Sequence, residues 1–505
     1  MKKLIPLSSL LLLSACMVGP DYHEPSTCLP DKWKNAEENN EKKPRNIQEE
    51  VKWWENFKDS LLTQLVRETI KSNYDLKVAF ATIYQARATL LGAEADLMPE
   101  IDGIGAFSHN ENSLNTSQFS NQQSVLPVTP TVGGASIPGF NRYFDLYRTG
   151  LTTTWEVDIF GRLRRSVESA EASLEAQVDD MHGVLLSLIA QVASNYINLR
   201  SYQKQLEVTQ KSYESWDSIY KLNKSLLKAG LATDIDVAQA ETSRDQAAAA
   251  IPPLRALIKI TIHQLSILTG KPPACLYDLL SKVKPIPYIP PEIFAGVPCE
   301  LIKRRPDIRA AERTLAAATA QIGVAEGSLY PIFSFTGTIG YQSNHAHNFI
   351  TPGSGFYSFG PGFTWDLIDF GRVRAKINSA TAIRDENFYQ YKSTLLTALA
   401  DVENSLVNYA EEAKRYPDLI SAYEASKRAA DISLLRYESG LITFIVVYQA
   451  QLTYQAAILQ MVQSHATLAL NSVALYKALG GGWQIDKTCW MQNQPPTLLW
   501  PERED

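Results

Sequence analysis

The chain has 505 residues and a formal net charge of −6, from 48 basic and 54 acidic side chains. Its length allows two or three ordinary domains or one large repeated architecture. The balanced charge argues against a nucleic-acid-binding protein, which would need a strongly basic face. Apolar residues make up 45% of the chain, yet no stretch stays apolar over the roughly 20 residues that a membrane-spanning helix requires.

Residues 1–15 have the form of a secretory signal peptide. Lys2 and Lys3 precede a mainly apolar segment that is too short to span a membrane. The segment ends in LSAC, and small residues before Cys16 favour cleavage that leaves this cysteine as an acylated N-terminus. The alternative is an ordinary signal peptide with an incidental cysteine. We predict lipidation at Cys16 as a membrane anchor, and no cofactor apart from this covalent lipid.

The first block of predicted elements covers residues 61–270 and follows an irregular N-terminal segment, 16–60. Apolar periodicity predicts these elements in the block: a helix over about 61–98, strands over about 101–109 and 145–159, a long helix over 161–228 and a helix over 233–269. No proline occurs between Arg162 and Lys228. The long helix should therefore extend roughly 100 Å at about 1.5 Å per residue.

A proline-rich linker, 271–300, leads to a second block, 301–483. The elements predicted there are a helix over 305–329, strands over about 332–343 and 355–368, long helices over 371–438 and a helix over 443–479. Pro417 predicts a break within the second long helical segment. The linker, segment 16–60 and the C-terminal tail 484–505 should form an irregular equatorial belt around the helices.

The two blocks are internal repeats. The phrase WEVDIFGRLRR at 155–165 recurs as WDLIDFGRVRA at 365–375, an offset of 210 residues. The same offset relates further pairs: Gly230 and Gly440, Gln239 and Gln449, and Gly270 and Gly480. Upstream the offset is 232, where GAEADLMPEI at 92–101 matches VAEGSLYPIF at 324–333. Such spacing indicates one structural layout written twice.

The predicted strands alternate between an apolar, aromatic face and a small, polar face. In the second strand, for example, Leu151 and Trp155 alternate with Thr152 and Glu156. A soluble sandwich would also alternate, but aromatic residues on one face suit a lipid-facing barrel around water. Four strands cannot close such a barrel, and an open edge is not viable in lipid. Three copies would supply twelve strands, so a trimer is the simplest closure.

Several motifs carry a resemblance to a known family. They are Cys16 followed by VGPDY, Trp53-Trp54, WEVDIFGR at 155–162, RRPDI at 304–308 and DFGR at 369–372. In this order they span nearly the whole mature chain. The chain resembles the TolC-like outer-membrane factors, in the lipoprotein branch that serves tripartite multidrug and metal efflux systems.

The resemblance implies an α+β membrane protein and no enzyme. Its expected architecture is a trimeric, 12-stranded outer-membrane β-barrel with four strands per protomer, continuous with a long periplasmic coiled-coil α-barrel. The expected partners are a periplasmic adaptor (membrane fusion) protein, an inner-membrane pump of RND, ABC or MFS type and outer-membrane lipid, with no nucleic acid. Met17 rather than Asp after Cys16 favours the outer membrane. The alternatives are an exit duct for type I protein secretion and a structural periplasmic coiled-coil lipoprotein.

The tips of the helical hairpins are predicted to open and close the duct. The residues assigned to this periplasmic gate are Gly230, Leu231, Asp234, Asp236, Gly440, Leu441, Phe444, Tyr448 and Gln449. The family usually carries an Asp and then an Arg after the second turn, where this chain has Gln449 and Leu452. We therefore predict an apolar closure led by Phe444 and Tyr448. Asp234 could instead simply cap a helix.

The repeated phrase is predicted to be the corner where strand becomes helix. The residues assigned to the two corners are Trp155, Gly161, Arg162, Trp365, Gly371 and Arg372. Tryptophan suits the membrane interface, glycine permits the sharp turn, and the arginines should pair with neighbouring acids rather than bind an anion.

Two further features do not change this interpretation. Cys28, Cys275, Cys299 and Cys489 lie in irregular segments, where one or two disulfides could form with pairing that the sequence does not fix. His345 and His347 lie in a predicted loop between strands, where we expect solvated side chains and no metal site.

Overall fold

The computed structural model describes residues 17–26, 30, 32–34, 51–111, 143–290, 298 and 304–484. The predicted signal peptide, Cys16, Cys28, Cys299 and Cys489 lie outside the described residues, as does nearly all of the C-terminal tail. Cys275 is exposed and its thiol is free. The chain divides into two compact units, one of residues 1–23, 87–172 and 316–385 and one of residues 24–86, 173–315 and 386–505.

In its described residues, the first half of the chain contains four helices and two strands. They are α1 (Ser60–Ser72), α2 (Tyr74–Ala95), β1 (Glu100–Glu111), β2 (Tyr143–Val157), α3 (Arg162–Lys228) and α4 (Asp234–Leu268), preceded by a 3₁₀ turn at Trp53–Phe57. Apolar residues of α3 at three- and four-residue spacing are buried, including Met181, Leu185, Leu188, Val192 and Leu199.

The second half repeats this order after the single-turn helix α5 (Tyr277–Leu280). Its elements are α6 (Pro306–Gly327), β3 (Ile332–Ser343), β4 (Gly355–Thr364), α7 (Arg372–Glu438) and α8 (Phe444–Ala478), with 3₁₀ turns at Ala346–Asn348 and Pro352–Ser354. Helices α3 and α7 have 67 residues each, and α4 and α8 have 35 each. No helix in the described parts of the chain is long and apolar enough to span a membrane.

The four strands form one antiparallel sheet in the order β1-β2-β3-β4. Its register pairs Leu151 with Ile339 and Trp155 with Phe335, so odd-numbered residues of all four strands share one face. That face is largely apolar and solvent-exposed; its exposed apolar members include Ile101, Phe107, Leu151, Ile339, Tyr357, Phe359 and Phe363. Among the described residues, β1 and β4 each have a strand neighbour on one side only.

The strands β2 and β4 end earlier than the predicted limits of 159 and 368. The ladder between β2 and β3 ends at the pair Val157–Phe333, and that between β3 and β4 at Ile332–Thr364. Pro331 directly precedes β3 and has no N–H to donate, so the ladder cannot extend past this point.

Two helix predictions need correction. The helix predicted over about 61–98 is interrupted at Asn73, which has a ψ of 135°. The Asn73 side chain accepts from Leu76 N at 3.0 Å and donates to Leu268 O at 2.9 Å, so it begins a new helix and binds the end of α4. The break predicted at Pro417 is wrong, because α7 runs through this residue.

The main apolar core lies in the second unit and joins sequence-distant parts of it. Trp53, fully buried, stacks on Tyr476 with ring centroids 5.2 Å apart and donates its indole N–H to Gly481 O at 3.2 Å. Asp59 caps α1 and also accepts from the Tyr196 hydroxyl at 2.7 Å. These contacts account for the WW motif and its downstream acid, which hold α1 against α3 and α8.

Candidate functional site at the strand-to-helix corners and hairpin tips

The first corner, residues 158–165, turns the chain from β2 into α3. Gly161 adopts a φ of +80°, which glycine tolerates without steric cost. Arg162 forms a two-point ion pair with Glu156, at 2.6 and 3.1 Å, and Arg164 pairs with Asp158 at 3.2 Å. The predicted pairing of corner arginines with neighbouring acids is confirmed for these two residues.

Arg165 binds the N-terminal segment. Its side chain is 1% exposed and donates to Val18 O at 3.1 Å, Gly19 O at 3.1 Å and the Asp21 carboxylate at 2.7 Å. Glu168 supplies a further carboxylate at 2.7 Å. A buried guanidinium with this many acceptors is fully compensated, and removal of it would leave several acceptors unpaired.

The rest of the VGPDY motif also packs on the first corner. Val18 N donates to Phe160 O at 3.0 Å, and Gly19 lies so close to Gly323 that an added Cβ would come within 2.4 Å of its Cα. Tyr22 packs against a small cluster of three alanines, Ala172, Ala316 and Ala317. Gly19, Asp21 and Tyr22 of this motif therefore each have a structural role.

The second corner, residues 368–375, also has a glycine with a positive φ and has fewer partners. Gly371 has a φ of +85°, and Phe370 has a φ of +53° with a side chain that is 97% exposed. Asp369 accepts from Gly371 N at 3.0 Å and Val373 N at 2.7 Å. These bonds, chiefly that from Val373, lower the pKa of the Asp369 carboxyl. Arg372 is exposed beside it.

The corner tryptophans occupy matching positions. Trp155 Nε1 donates to Leu97 O at 2.9 Å, and Trp365 Nε1 donates to Leu329 O at 3.0 Å. Both side chains remain partly exposed, at 36% and 47%. An apolar ring with its one polar group satisfied is suited to a membrane interface.

The two hairpin tips have the same turn. Gly230 (φ +76°) and Gly440 (φ +70°) end α3 and α7. Leu231 N donates to Leu226 O at 2.8 Å and Gly230 N to Leu227 O at 2.9 Å, and the second tip repeats both bonds from Leu441 and Gly440. This is the Schellman arrangement, which requires a left-handed residue. Leu231 and Leu441 project into solvent, 76% and 73% exposed.

The helices after the two turns begin differently. Thr233 caps α4, and its side chain and that of Asp236 satisfy each other's backbone N–H in a capping box. Asp234 is the first helical residue and does not serve as the cap. Thr443, at the start of α8, forms no side-chain cap bond. Asp236 of the first tip thus has a local structural role.

Phe444 and Tyr448 belong to an apolar cluster between the two hairpins. This tip cluster consists of Trp216, Ile219, Ala240, Phe444 and Val447, with Tyr437 and Tyr448 packed against it. Phe444 is 2% exposed, and its ring lies 5.7 Å from that of Tyr437 and 6.0 Å from that of Tyr448. Phe444 therefore joins the hairpins of one chain and does not project into solvent. Gln449 is exposed, and Leu452 is 40% exposed.

Asn223 is a tip residue that sequence reasoning missed. Fully buried in α3, it donates to Asp236 O at 3.1 Å and accepts from the Tyr437 hydroxyl at 2.9 Å. Burial raises the pKa of Tyr437, and Asp236 acts in the same direction, so this phenol remains a donor. A single Asn within an apolar helical seam was the available signal, because such residues often fix helix register.

The corner and tip residues described above fix turns between strands and helices and between helices. They do not bring reacting groups together. His345 and His347 lie in the loop between β3 and β4 with their rings 5.5 Å apart. An exposed aromatic sheet face, glycine corners and long helical hairpins are the parts of a membrane conduit.

Comparison with known proteins also indicates a membrane conduit. A family model described as outer membrane efflux protein matches residues 65–271 and 297–481. Nodulation protein T of Rhizobium leguminosarum bv. trifolii is 31% identical over 94% of this chain and 96% of its own length. The pyoverdine export outer membrane protein OpmQ of Pseudomonas aeruginosa is 30% identical over 96% of this chain and 98% of its own.

A solved structure extends the likeness to three dimensions. The outer-membrane channel OprN aligns with a TM-score of 0.81 at 32% identity, covering 93% of this chain and all of that one. The fold and the corners thus define an outer-membrane channel of mixed strands and helices. The chain belongs to the outer membrane efflux protein family, and it acts as the outer-membrane exit duct of an efflux system.

Proposed function

We propose that three copies of this chain close a 12-stranded barrel that continues into a periplasmic α-helical tube. The observation that carries the proposal is the four-stranded sheet. Its two outer strands, β1 and β4, each lack a second strand neighbour among the described residues. In lipid, backbone N–H and C=O groups at such edges would cost several kcal/mol each. Pairing β4 of one copy with β1 of the next satisfies both edges.

The two faces of the sheet support the same assembly. Aromatic and aliphatic side chains on the odd-numbered face would contact lipid. The even-numbered face carries small and polar residues, including Thr152, Thr336 and Ser358, which suit a water-filled lumen. The internal repeat gives each copy two corners and two hairpins, so the assembly would have six of each.

A covalent lipid on Cys16 would anchor each copy. Arg165 binds residues 18–21 at the first corner, and Met17 lies against Gly161. An acyl chain on the preceding residue would therefore begin beside the end of β2. This arrangement favours lipidation as a local anchor at the barrel rim in the outer membrane.

The hairpin tips would form the periplasmic gate and meet the adaptor protein. Exposed apolar side chains there, Leu231, Ile235 and Leu441, offer a docking surface for another helical hairpin. An inner-membrane pump of RND, ABC or MFS type would supply the energy and select the cargo. Opening would move the hairpins of neighbouring copies apart, while the tip cluster keeps the two hairpins of one chain together.

Purified protein in detergent tests this proposal directly. We expect a trimer on an unheated denaturing gel that becomes monomeric on heating, and ion conductance after insertion into planar bilayers. A structural coiled-coil lipoprotein would show neither property and would leave membranes without detergent. Crosslinking at Leu231→Cys in cells would then capture the adaptor, and the pump recovered with it would separate drug or metal efflux from protein secretion.

A further inference from the structure

The two repeats are related in space by the same offsets as in sequence. The bond from Trp155 to Leu97 and the bond from Trp365 to Leu329 are equivalent, with lengths of 2.9 and 3.0 Å. The donors are 210 residues apart and the acceptors 232. Contacts around the first corner therefore indicate which residues should meet around the second.

The first corner packs on the C-terminal end of α6 in its own chain. Phe160 stacks on Tyr330 with ring centroids 4.5 Å apart. The Arg165 side chain crosses Gly323 so closely that an added Cβ would come within 2.8 Å of Arg165 Cγ. An aromatic pair thus lies beside a large residue that fits over a glycine.

The equivalent residues of the second repeat are apolar and uncovered. The counterpart of Phe160 is Phe370, 97% exposed, and the counterpart of Tyr330 is Met98, 67% exposed. A thioether against an aromatic ring is a favourable contact. Exposed apolar residues at equivalent positions indicate a surface that a partner covers.

A second pair of equivalent residues also differs in size between the two corners. Arg165 corresponds to Ala375, and Gly323 corresponds to Leu91, which is 57% exposed. Where the first corner places a large side chain over a glycine, the second places a small side chain opposite a large one. The combined volume is thereby kept, as in a packed interface.

Charge complementarity surrounds these apolar residues. Arg372 and Arg374 are exposed on the second corner, and Glu94 and Asp96 are exposed around the end of α2. Opposite charges around an apolar centre are the arrangement of a specific protein interface.

We propose that the second corner docks on the C-terminal end of α2 in another copy of this chain, with Phe370 against Met98 and Ala375 against Leu91. The contact joins the second repeat of one copy to the first repeat of the next, so it is head-to-tail and closes in a ring. Every corner in the ring then has an equivalent partner, supplied by its own chain or by its neighbour. This inference rests on the proposed oligomeric channel.

Disulfide trapping tests the contact in the full-length protein. Leu91→Cys and Ala375→Cys in one chain place two thiols where the first-corner geometry brings side chains together, within reach of the roughly 3.5–4.5 Å between Cβ atoms of a disulfide. Mild oxidation of outer membranes should give covalently linked dimers and trimers on a non-reducing denaturing gel. Each single-cysteine variant controls for Cys275 and the other native thiols, and co-expressed single variants should give linked dimers only.

A size exchange provides a second measurement. Leu91→Ala should lower the temperature at which the trimer dissociates on a gel, and Ala375→Leu in the same chain should restore part of the loss. A heat-modifiable, conducting trimer that shows neither linkage above the single-cysteine background nor this rescue would overturn the corner contact and leave the proposed function intact. A wild-type chain that forms no trimer would refute both.

Discussion

At the residue scale, the two corner glycines share a backbone conformation and differ in what surrounds them. Their φ angles are +80° at Gly161 and +85° at Gly371. An added Cβ at Gly161 would come within 2.5 Å of Met17 Cγ and 2.9 Å of Met17 Cα, whereas no described atom lies within 4 Å at Gly371. The backbone requirement is common to both, and the close approach of the N-terminal segment belongs to Gly161.

We expect Gly161→Ala to lower the yield of heat-resistant trimer more than Gly371→Ala does. Each substitution places a Cβ in the left-handed region at a cost of roughly 1–2 kcal/mol. Only Gly161→Ala must also displace Met17 and loosen residues 18–21 from Arg165. Gel densitometry measures the yield, and limited proteolysis measures release of the segment. Equal effects of the two variants would show that the Met17 contact contributes nothing to assembly.

The corner could be predicted from sequence only in part. The repeated phrase at 155–165 and 365–375 predicts both glycines and both tryptophans of the corners, because a turn from strand to helix needs a local signal. Arg165 looked like one more member of an arginine cluster. Its partner Asp21 is 144 residues away, and no local pattern reports such a contact. The absence of an arginine at the equivalent Ala375 was the signal that the two corners differ.

At the element scale, a buried amide links the two hairpins beside the apolar tip cluster. Asn223 in α3 bonds the backbone at the start of α4 and the Tyr437 hydroxyl in α7. The equivalent residue of the second repeat, Ser433, bonds Ala430 O of its own helix instead. The bond from Tyr437 to Asn223 therefore has no counterpart at Ser433.

We expect Asn223→Ala to loosen the closed tip and raise the resting conductance of the channel. The substitution leaves the Tyr437 hydroxyl and Asp236 O without this partner, at a cost of about 1–3 kcal/mol per buried group. Tyr437→Phe removes one of the two bonds and should have a smaller effect, and Ser433→Ala serves as the matched control. Single-channel recording checks the order. Unchanged conductance in Asn223→Ala with intact trimers would exclude this role.

The ends of helices could be predicted from the sequence where a local turn signal is present. The prediction was wrong at Asn73 and at Pro417. The end of α3 at Lys228 lies just before the Gly-Leu turn, whose glycine supplies the left-handed residue. At Asn73 the side chain stops one helix because it binds the end of α4. At Pro417 the local signal favours a break, yet α7 is continuous through this residue. The outcome at Asn73 depends on a neighbour that periodicity does not show.

At the scale of the whole molecule, the polar face of the sheet determines the charge of the proposed pore. Arg148 lies on this even-numbered face, with its guanidinium 5.2 Å from the centre of the Phe356 ring. Glu100 and Asp102 share the face nearer its other end. A trimer would therefore carry three arginines at one level of the lumen and acids at another.

We expect Arg148→Gln to shift the channel toward cations. Loss of three positive charges leaves the acidic level to dominate the field in the lumen. The reversal potential in a salt gradient measures the shift, with the substitution Arg372→Gln outside the sheet as a control for charge alone. A reversal potential that is the same in Arg148→Gln and in the parent chain would place Arg148 away from the conducting path.

The buried Trp53 also constrains when this chain can fold during export. Its buried ring stacks on Tyr476 and donates to the carbonyl of Gly481, which is 428 residues further along. The N-terminal residues cross the inner membrane first. The main apolar core can therefore form only after the C-terminal residues have also crossed. The chain should travel through the periplasm with chaperones as an unfinished polypeptide, and a premature stop before α8 should yield a protease target instead of a shorter channel.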